Sequence, residues 1–374
     1  MPRLTVSTAR HHPARPKLKA GLRRVWRDAG TLQLGLDPAG AVVIGGLDPA
    51  TAALVEGLDG TRDLAGVFTA AGQLGIDASR AAAVLDLLTR SGVLDDAAAD
   101  HRALGALEQL DRDRLAPDVA AASVVRPGDD GGVSVLARRR ASTVSVHGAG
   151  RVGASVVNLL AAAGVGTLLV EDTGTTLLAD CAPAGLRPDD AGARRQDAAT
   201  RFLRGTYPSV RTRSHGRDGR APDLALVTTL GPVDAALADG LVRNGTPHLF
   251  ATVREGTGLV GPFVLPGRSS CRRCHDLHRS DRDPAWPSIA AQLAADRGGA
   301  AVPCDVVLAT AVAAHAALQA LAFLDLERAE DIGPAAASLP LALDGTIEIS
   351  QADGRVRRRS WSPHPLCGCA WPDD

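Results

Sequence analysis

The chain has 374 residues, is 45% hydrophobic, and carries 41 basic against 42 acidic side chains for a net charge of −1. That length has room for two or three domains with real cores, and the charge balance gives no global electrostatic reason to bind nucleic acid or an anionic membrane. Lysine occurs only at Lys17 and Lys19, so beyond them every permanent cation is an arginine, which holds carboxylates and phosphates but is no tunable amine base.

Met1 to Arg27 is basic and lacks the apolar stretch of a secretory signal, so a cytoplasmic location is expected. Leu32 to Leu36 and Ala41 to Gly45, joined by Asp37-Pro38-Ala39-Gly40, predict an antiparallel hairpin. Asp48-Pro49 opens a first helix, Thr61 begins a second, and Asp77 to Arg90 gives a third with Ala81, Val84, Leu85 and Leu88 at helical spacing. This is a small α+β, winged-helix-like domain over residues 1–100. Residues 101–135 read as a connecting helix, placed near 97–116, and a linker around Arg126-Pro127-Gly128.

From 136 to 374, short apolar runs alternate with helical patterns: 144–147, 152–163, 167–170, 196–203, 224–228, 233–241 and 248–253. That order predicts an α/β, Rossmann-like domain with a mostly parallel sheet. A last hairpin is expected from Leu341–Ser350 and Arg355–Trp361. The run Val306–Leu324 approaches membrane-spanning length, but Thr310, His315 and Gln319 within it favour a buried or subunit-packing helix.

Gly148-Ala149-Gly150-Arg151-Val152-Gly153 places G-x-G-x-x-G between a strand and a helix. Gly148 permits the tight turn, Gly150 lets a phosphate approach the backbone, and Gly153 lets helix pack on strand, with free N–H groups at the helix start. Asp172, at the end of the next strand, is the candidate ribose acceptor. The same glycines also suit a purely structural turn.

Cys271-Arg272-Arg273-Cys274 and Cys367-Gly368-Cys369 form two close pairs separated by residues 275–366. Four thiolates from two short turns suit a structural zinc ion with no open coordination position; the rival is a redox C-x-x-C, for which the context is wrong. Cys304, ahead of a helix, is expected to be a buried small hydrophobe rather than a nucleophile. Trp286 and Trp361 are expected to pack.

The glycine run, Ala161-Ala162-Ala163-Gly164-Val165-Gly166, Leu169-Val170-Glu171-Asp172 and the paired cysteines together resemble the ThiF-type, E1-like activating-enzyme superfamily over roughly the last two thirds of the chain. Gly267 to Cys274, Asp283-Pro284-Ala285-Trp286-Pro287 and His364-Pro365-Leu366-Cys367-Gly368-Cys369 further resemble the E1-like proteins of thiazole/oxazole-modified peptide pathways. That resemblance implies an N-terminal PqqD-like domain that binds a precursor's leader peptide, and a partner YcaO-type cyclodehydratase that uses the ATP. It also implies a frequent homodimer.

Active members adenylate a carboxylate using ATP and magnesium. They have a loop glycine where this chain has Arg151, an Asn-x-x-Arg-Gln element and a lysine after the second strand, and an aspartate at the fourth-strand exit. Here residues 173–180 contain no such element, Arg194-Arg195-Gln196 lies in the lysine's neighbourhood, and the fourth-strand exit is Thr228-Thr229-Leu230. Arg151, Arg194 and Arg195 are the weak catalytic candidates. The expectation is a leader-peptide-binding component with a degenerate nucleotide site; the alternatives are an active adenylyltransferase, an NAD-linked oxidoreductase read from the glycine loop alone, and a DNA-binding winged helix, which Arg80 and Arg90 alone would charge too weakly.

Overall fold

The computed structural model describes residues 12–369 apart from 39, 100–101, 127, 213–220, 231–233, 296–302 and 327–338. Ala39 of the predicted turn, Pro127 of the linker, Val233 at a predicted helix start and residues 1–11 thus lie outside the described residues. The chain forms two compact units, 1–137 and 138–374.

In the first unit, β1 (Pro16–Leu18), β2 (Arg24–Asp28), β3 (Thr31–Leu34) and β4 (Val42–Ile44) precede α1 (Pro49–Glu56), α2 (Leu64–Gln73) and α3 (Ala78–Arg90). The predicted hairpin is β3–β4, with Leu32 opposite Ile44. Each helix begins after an aspartate: the carboxylates of Asp48, Asp63 and Asp77 accept from the N–H groups of Thr51, Gly66 and Arg80, satisfying a donor that the first turn leaves free. Leu32 and Leu34 share one buried cluster with Leu54, Val55, Leu85 and Leu88, and full burial of each such side chain contributes about 1.5–3 kcal/mol.

Three features were not read from the sequence. Strand β2 pairs with β3 but is exposed along its whole length, so it lacks the apolar alternation that marks a strand. Strand β1 pairs with the distant β5 (Leu94–Asp96). The helix expected near 97–116 is instead α4 (Arg102–Gly105) and the longer α5 (Gln109–Val125), which runs through Pro117. Proline removes one helical hydrogen bond and crowds the preceding turn; burial of Leu115, Ala122 and Ser123 offsets that loss.

A buried cation ties these elements together. Lys19 is 4% exposed, and its Nζ donates to Asp95 Oδ1 at 2.7 Å, Ser123 O at 2.7 Å and Gly128 O at 2.9 Å. All three ammonium protons are satisfied. Replacing Lys19 with Met strands a buried carboxylate, so urea unfolding of the full chain should report a loss of about 3–5 kcal/mol; an unchanged midpoint would contradict this assignment.

Helix α6 (Val133–Ala141) leads into the second unit, which contains β6 (Thr143–His147), α7 (Gly153–Ala162), β7 (Thr167–Glu171), α8 (Arg195–Thr206), β8 (Arg211–Thr212), β9 (Leu224–Val227), α9 (Ala235–Arg243), β10 (His248–Arg254) and β11 (Thr257–Val264). Helices α10 (Arg272–Arg282), α11 (Trp286–Ala295) and α12 (Val306–Leu324) follow, then β12 (Gly345–Ser350) and β13 (Val356–Ser360). The strands form one sheet in the order β13-β12-β11-β10-β9-β6-β7-β8. Pairing is parallel from β8 through β10 and antiparallel from β10 to β13. The expected alternation is present; β11 was missed because Gly258, Gly261 and Pro262 read as strand breakers.

After β6 the chain proceeds to β7 on one side and returns to β9 on the other, so a crevice opens at the carboxyl ends of β6 and β9. Helix α12 packs on α7, β10 and β11, and a Cβ at Gly258 would run into Val312. Among the described residues α12 alone is long and apolar enough to cross a membrane, and half of it is buried within the fold, as expected of a core helix.

His248, at the start of β10, is 1% exposed. Burial pushes its pKa down from 6.5 to about 4, against a smaller opposing effect of the Thr246 carbonyl 2.8 Å from Nδ1. The unfolded chain therefore binds the extra proton first, and this contribution to stability is complete above pH 6.5 and lost as pH falls toward 4, at up to about 1.4 kcal/mol per pH unit. Denaturant titrations across that window should show a shallower pH slope for His248→Phe; equal slopes would contradict the buried neutral imidazole.

Candidate functional site

The crevice is built by the glycine loop. Gly148 has φ +98°, a left-handed conformation that favours glycine, and a Cβ there would press on the backbone of Thr228 and Thr229. At Gly153 a Cβ would collide with the Gly148 carbonyl and Thr228 Oγ1. Thr228 Oγ1 itself donates to Gly148 O at 2.7 Å, fastening the loop to the end of β9. Helix α7 starts with no side-chain cap, although in its first turn Ala154 N already donates to Gly150 O at 3.0 Å; a helix start of this kind is where an anion would approach.

Asp172 sits at the exit of β7 with its carboxylate turned into the loop. Its Oδ2 accepts from Ala149 N at 2.7 Å and Arg195 Nε at 3.0 Å, and its Oδ1 from Gly174 N at 2.7 Å. Arg195 also reaches Asp180, with Nη1 3.3 Å from Oδ2, while that carboxylate accepts from Leu177 N at 2.9 Å. Burial disfavours the Arg195 charge, but the bond to Asp172 and the charges of Asp172 and Asp180 outweigh it and raise the pKa above its ordinary value. Gln196 Oε1 accepts from Asp172 N at 3.4 Å. A ribose at Asp172 would have to share these oxygens with donors already in place.

The other candidates are dispersed. Arg151 turns toward the start of α12, its Nη1 donating to Cys304 O at 2.6 Å, and its buried Nε has no hydrogen-bond partner. Arg194 is exposed at the head of α8. The described residues that follow β9, Thr228, Thr229 and Leu230, carry no carboxylate, and Asp234, further along the chain, caps α9 by accepting from Ala236 N at 2.9 Å. Asp180 was not singled out from the sequence, since no motif marks it; only the fold of 173–180 delivers it to Arg195.

Burial raises the pKa of Cys304, more than Arg151 lowers it, and the side chain packs on the main core, as expected of a small hydrophobe. Cys181 is likewise pushed up by burial.

The second site is the cysteine cluster. Cys271 stands at the head of α10 and Cys274 in its first turn; Cys367 and Cys369 come from the segment after β13. Sγ of Cys271 lies 3.9 Å from that of Cys274 and 3.5 Å from that of Cys367, and Cys274 lies 3.3 Å from Cys369. All four are free thiols, too far apart for a disulfide's roughly 2.05 Å. Zn–S bonds of about 2.3 Å in a tetrahedron separate sulfurs by about 3.8 Å, so the donor set fits zinc in type, number and spacing. Burial pushes the Cys271 thiol up to about 12 and raises Cys369 too. At Cys274 burial acts the same way, but the N–H of His364 and the neighbouring thiols bring its pKa below the ordinary value.

Trp361 closes one side of this module. Buried at 6% exposure, it stacks on His275 at 4.9 Å beneath the Arg282 guanidinium. Trp286 packs under Arg279, so both tryptophans are packing residues. Purified protein should carry about one zinc per chain by elemental analysis, and Cys274→Ala should lose it and destabilise the fold; a metal-free, equally stable wild type would contradict the clamp.

The sequence pattern of the ThiF family matches residues 126–333. No curated protein sequence matches significantly. Among solved structures, MccB of E. coli with AMPCPP and MccA superposes with a TM-score of 0.69 at 16% identity, covering 95% of this chain and 99% of MccB. The Microcin C7 biosynthetic enzyme MccB with N-formylated MccA gives a TM-score of 0.67 at 14% identity, with the same coverage. PaaA gives 0.66 at 16%, covering 92% of this chain and 100% of PaaA. At such identities these likenesses establish a shared fold. With the family pattern spanning 208 of 374 residues, including the glycine loop and the first cysteine pair, the chain belongs to the ThiF family.

Proposed function

We propose that this chain is an E1-like component of ribosomal peptide maturation that binds a precursor's leader peptide through an N-terminal domain at 1–100 and presents it to a partner YcaO-type cyclodehydratase, its own nucleotide site being degenerate. The observation that carries this reading is the crevice. It has no lysine, no carboxylate at the β9 exit among the described residues, and an Asp172 whose oxygens are held by Ala149, Gly174 and Arg195. Phosphoryl chemistry needs metal ligands and fixed positive charge on the leaving pyrophosphate; Thr228-Thr229-Leu230 after β9 offers no carboxylate for the metal. Resident zinc at the four cysteines is structural here, with every position filled by sulfur.

MccB, which shares the fold, is described in complex with MccA, which supports a peptide partner. Strand β4 ends its sheet, so its outer edge near Ala41 to Gly45 suits β-augmentation, in which an extended peptide adds main-chain hydrogen bonds and side-chain pockets select its sequence. A cytoplasmic homodimer is part of the same proposal.

A second reading, an active ATP-dependent adenylyltransferase, is favoured by one specific observation. Arg195-Gln196 supplies the Arg-Gln end of the Asn-x-x-Arg-Gln pattern, with Gly192 at the asparagine position, and the fold sets it beside Asp172. MccB is likewise described with ATP.

Two assays on the full chain separate the readings. Titration with fluorescent leader peptides from neighbouring open reading frames should saturate, and ATP–pyrophosphate exchange with magnesium and peptide should stay at background. Exchange above background would establish the second reading, and an absence of binding to every encoded precursor would defeat the first.

A further inference from the structure

The C-terminal cysteines arrive on a short segment after β13, and the side chains that hold it lie on one face of α10. Cys274, His278 and Asp281 occupy positions i, i+4 and i+7 of that helix, stacked along a single stripe. His364, 7% exposed, runs against it and commits every polar atom. Its N–H donates to Cys274 Sγ at 3.3 Å, and its carbonyl accepts from Cys367 N at 2.9 Å. Its Nδ1 accepts from Leu366 N at 3.1 Å, so the proton resides on Nε2, which faces Asp281 Oδ2 at 2.9 Å. His278 adds a second tie, its Nε2 2.9 Å from Ser362 O and its ring edge-on to His364 at 4.7 Å.

We propose that His364 and Asp281, supported by His278, form a latch that holds Cys367 and Cys369 in metal-ready position before the ion binds. Two of the four bonds of His364 shape the turn leading to Cys367, one grips the sulfur of Cys274, and one anchors the turn to α10. The ion then meets a preorganised sulfur cage, and ordering the C-terminal segment is not charged against its affinity. His278, Asp281 and His364 also bring three ligand-type atoms within 4.8 Å of one another. Both ring nitrogens of His364 are nevertheless in use, and a cation on Nε2 would require breaking the Leu366 bond. The group is a positioning device for the adjacent sulfur site, with one metal per chain.

The full-length protein, stripped of metal and titrated with zinc against a chromophoric chelator, tests this. Asp281 is largely exposed, so Asp281→Ala should fold normally by circular dichroism yet bind zinc roughly 10- to 100-fold more weakly. Asp281→Asn, whose amide oxygen still accepts from Nε2–H, should restore most of the affinity. His364→Ala should weaken binding similarly, and the double variant should be no weaker than the worse single one. Cobalt-substituted protein should keep its four-sulfur absorption spectrum in all of them. Wild-type affinity in Asp281→Ala would overturn the latch while leaving the clamp intact, and a second bound equivalent that vanishes in Asp281→Ala would make the group a metal site instead. A wild type that binds no zinc would remove clamp and latch together.

Discussion

Four thiols from two ends of the second unit converge within van der Waals reach of one another, and that convergence imposes order on everything around it. Cys271 and Cys274 are fixed by the start of α10, whereas Cys367 and Cys369 lie beyond the last strand of an eight-stranded sheet. Bringing them together returns the chain's C-terminal segment to the helix that follows β11. Burial opposes ionisation of Cys271 and Cys369, while the His364 N–H and neighbouring thiols favour it at Cys274; a divalent cation would stabilise thiolates that burial disfavours. The aromatic and guanidinium layers over Trp361 then have a fixed floor on which to pack.

The glycine-loop crevice is organised by a different economy of charge. One guanidinium, Arg195, is shared between Asp172 and Asp180, and Asp172 also receives two backbone N–H groups, from Ala149 and Gly174. A loop usually available to phosphates is thereby braced by the protein's own carboxylate. A nucleotide entering there would compete with these internal bonds, and the described residues just beyond β9, Thr228, Thr229 and Leu230, carry no carboxylate. The fold is that of the ThiF family.

Much of this was legible in the amino-acid order because the signals were local. The G-x-G-x-x-G run announces a strand-to-helix turn through conformations only glycine tolerates, the aspartates at 48 and 77 mark helix starts, and two close cysteine pairs announce a common ion at any separation. What escaped depends on tertiary context. Strand β2 has no buried face, β11 carries residues that elsewhere break strands, and α5 passes through Pro117 because its neighbours are buried. Asp180 and Arg195 are 15 residues apart in sequence yet paired in space: nothing in 173–194 signals that the intervening segment folds back to bring them together. The expected ribose acceptor, Asp172, was found at the predicted place but with its oxygens committed to partners that no spacing rule could name.

X-ray absorption at the zinc edge of the protein as purified addresses the sulfur cage most directly. A single shell of four sulfur scatterers at about 2.3 Å is expected. A shell containing nitrogen or oxygen, or no zinc edge at all, would contradict it.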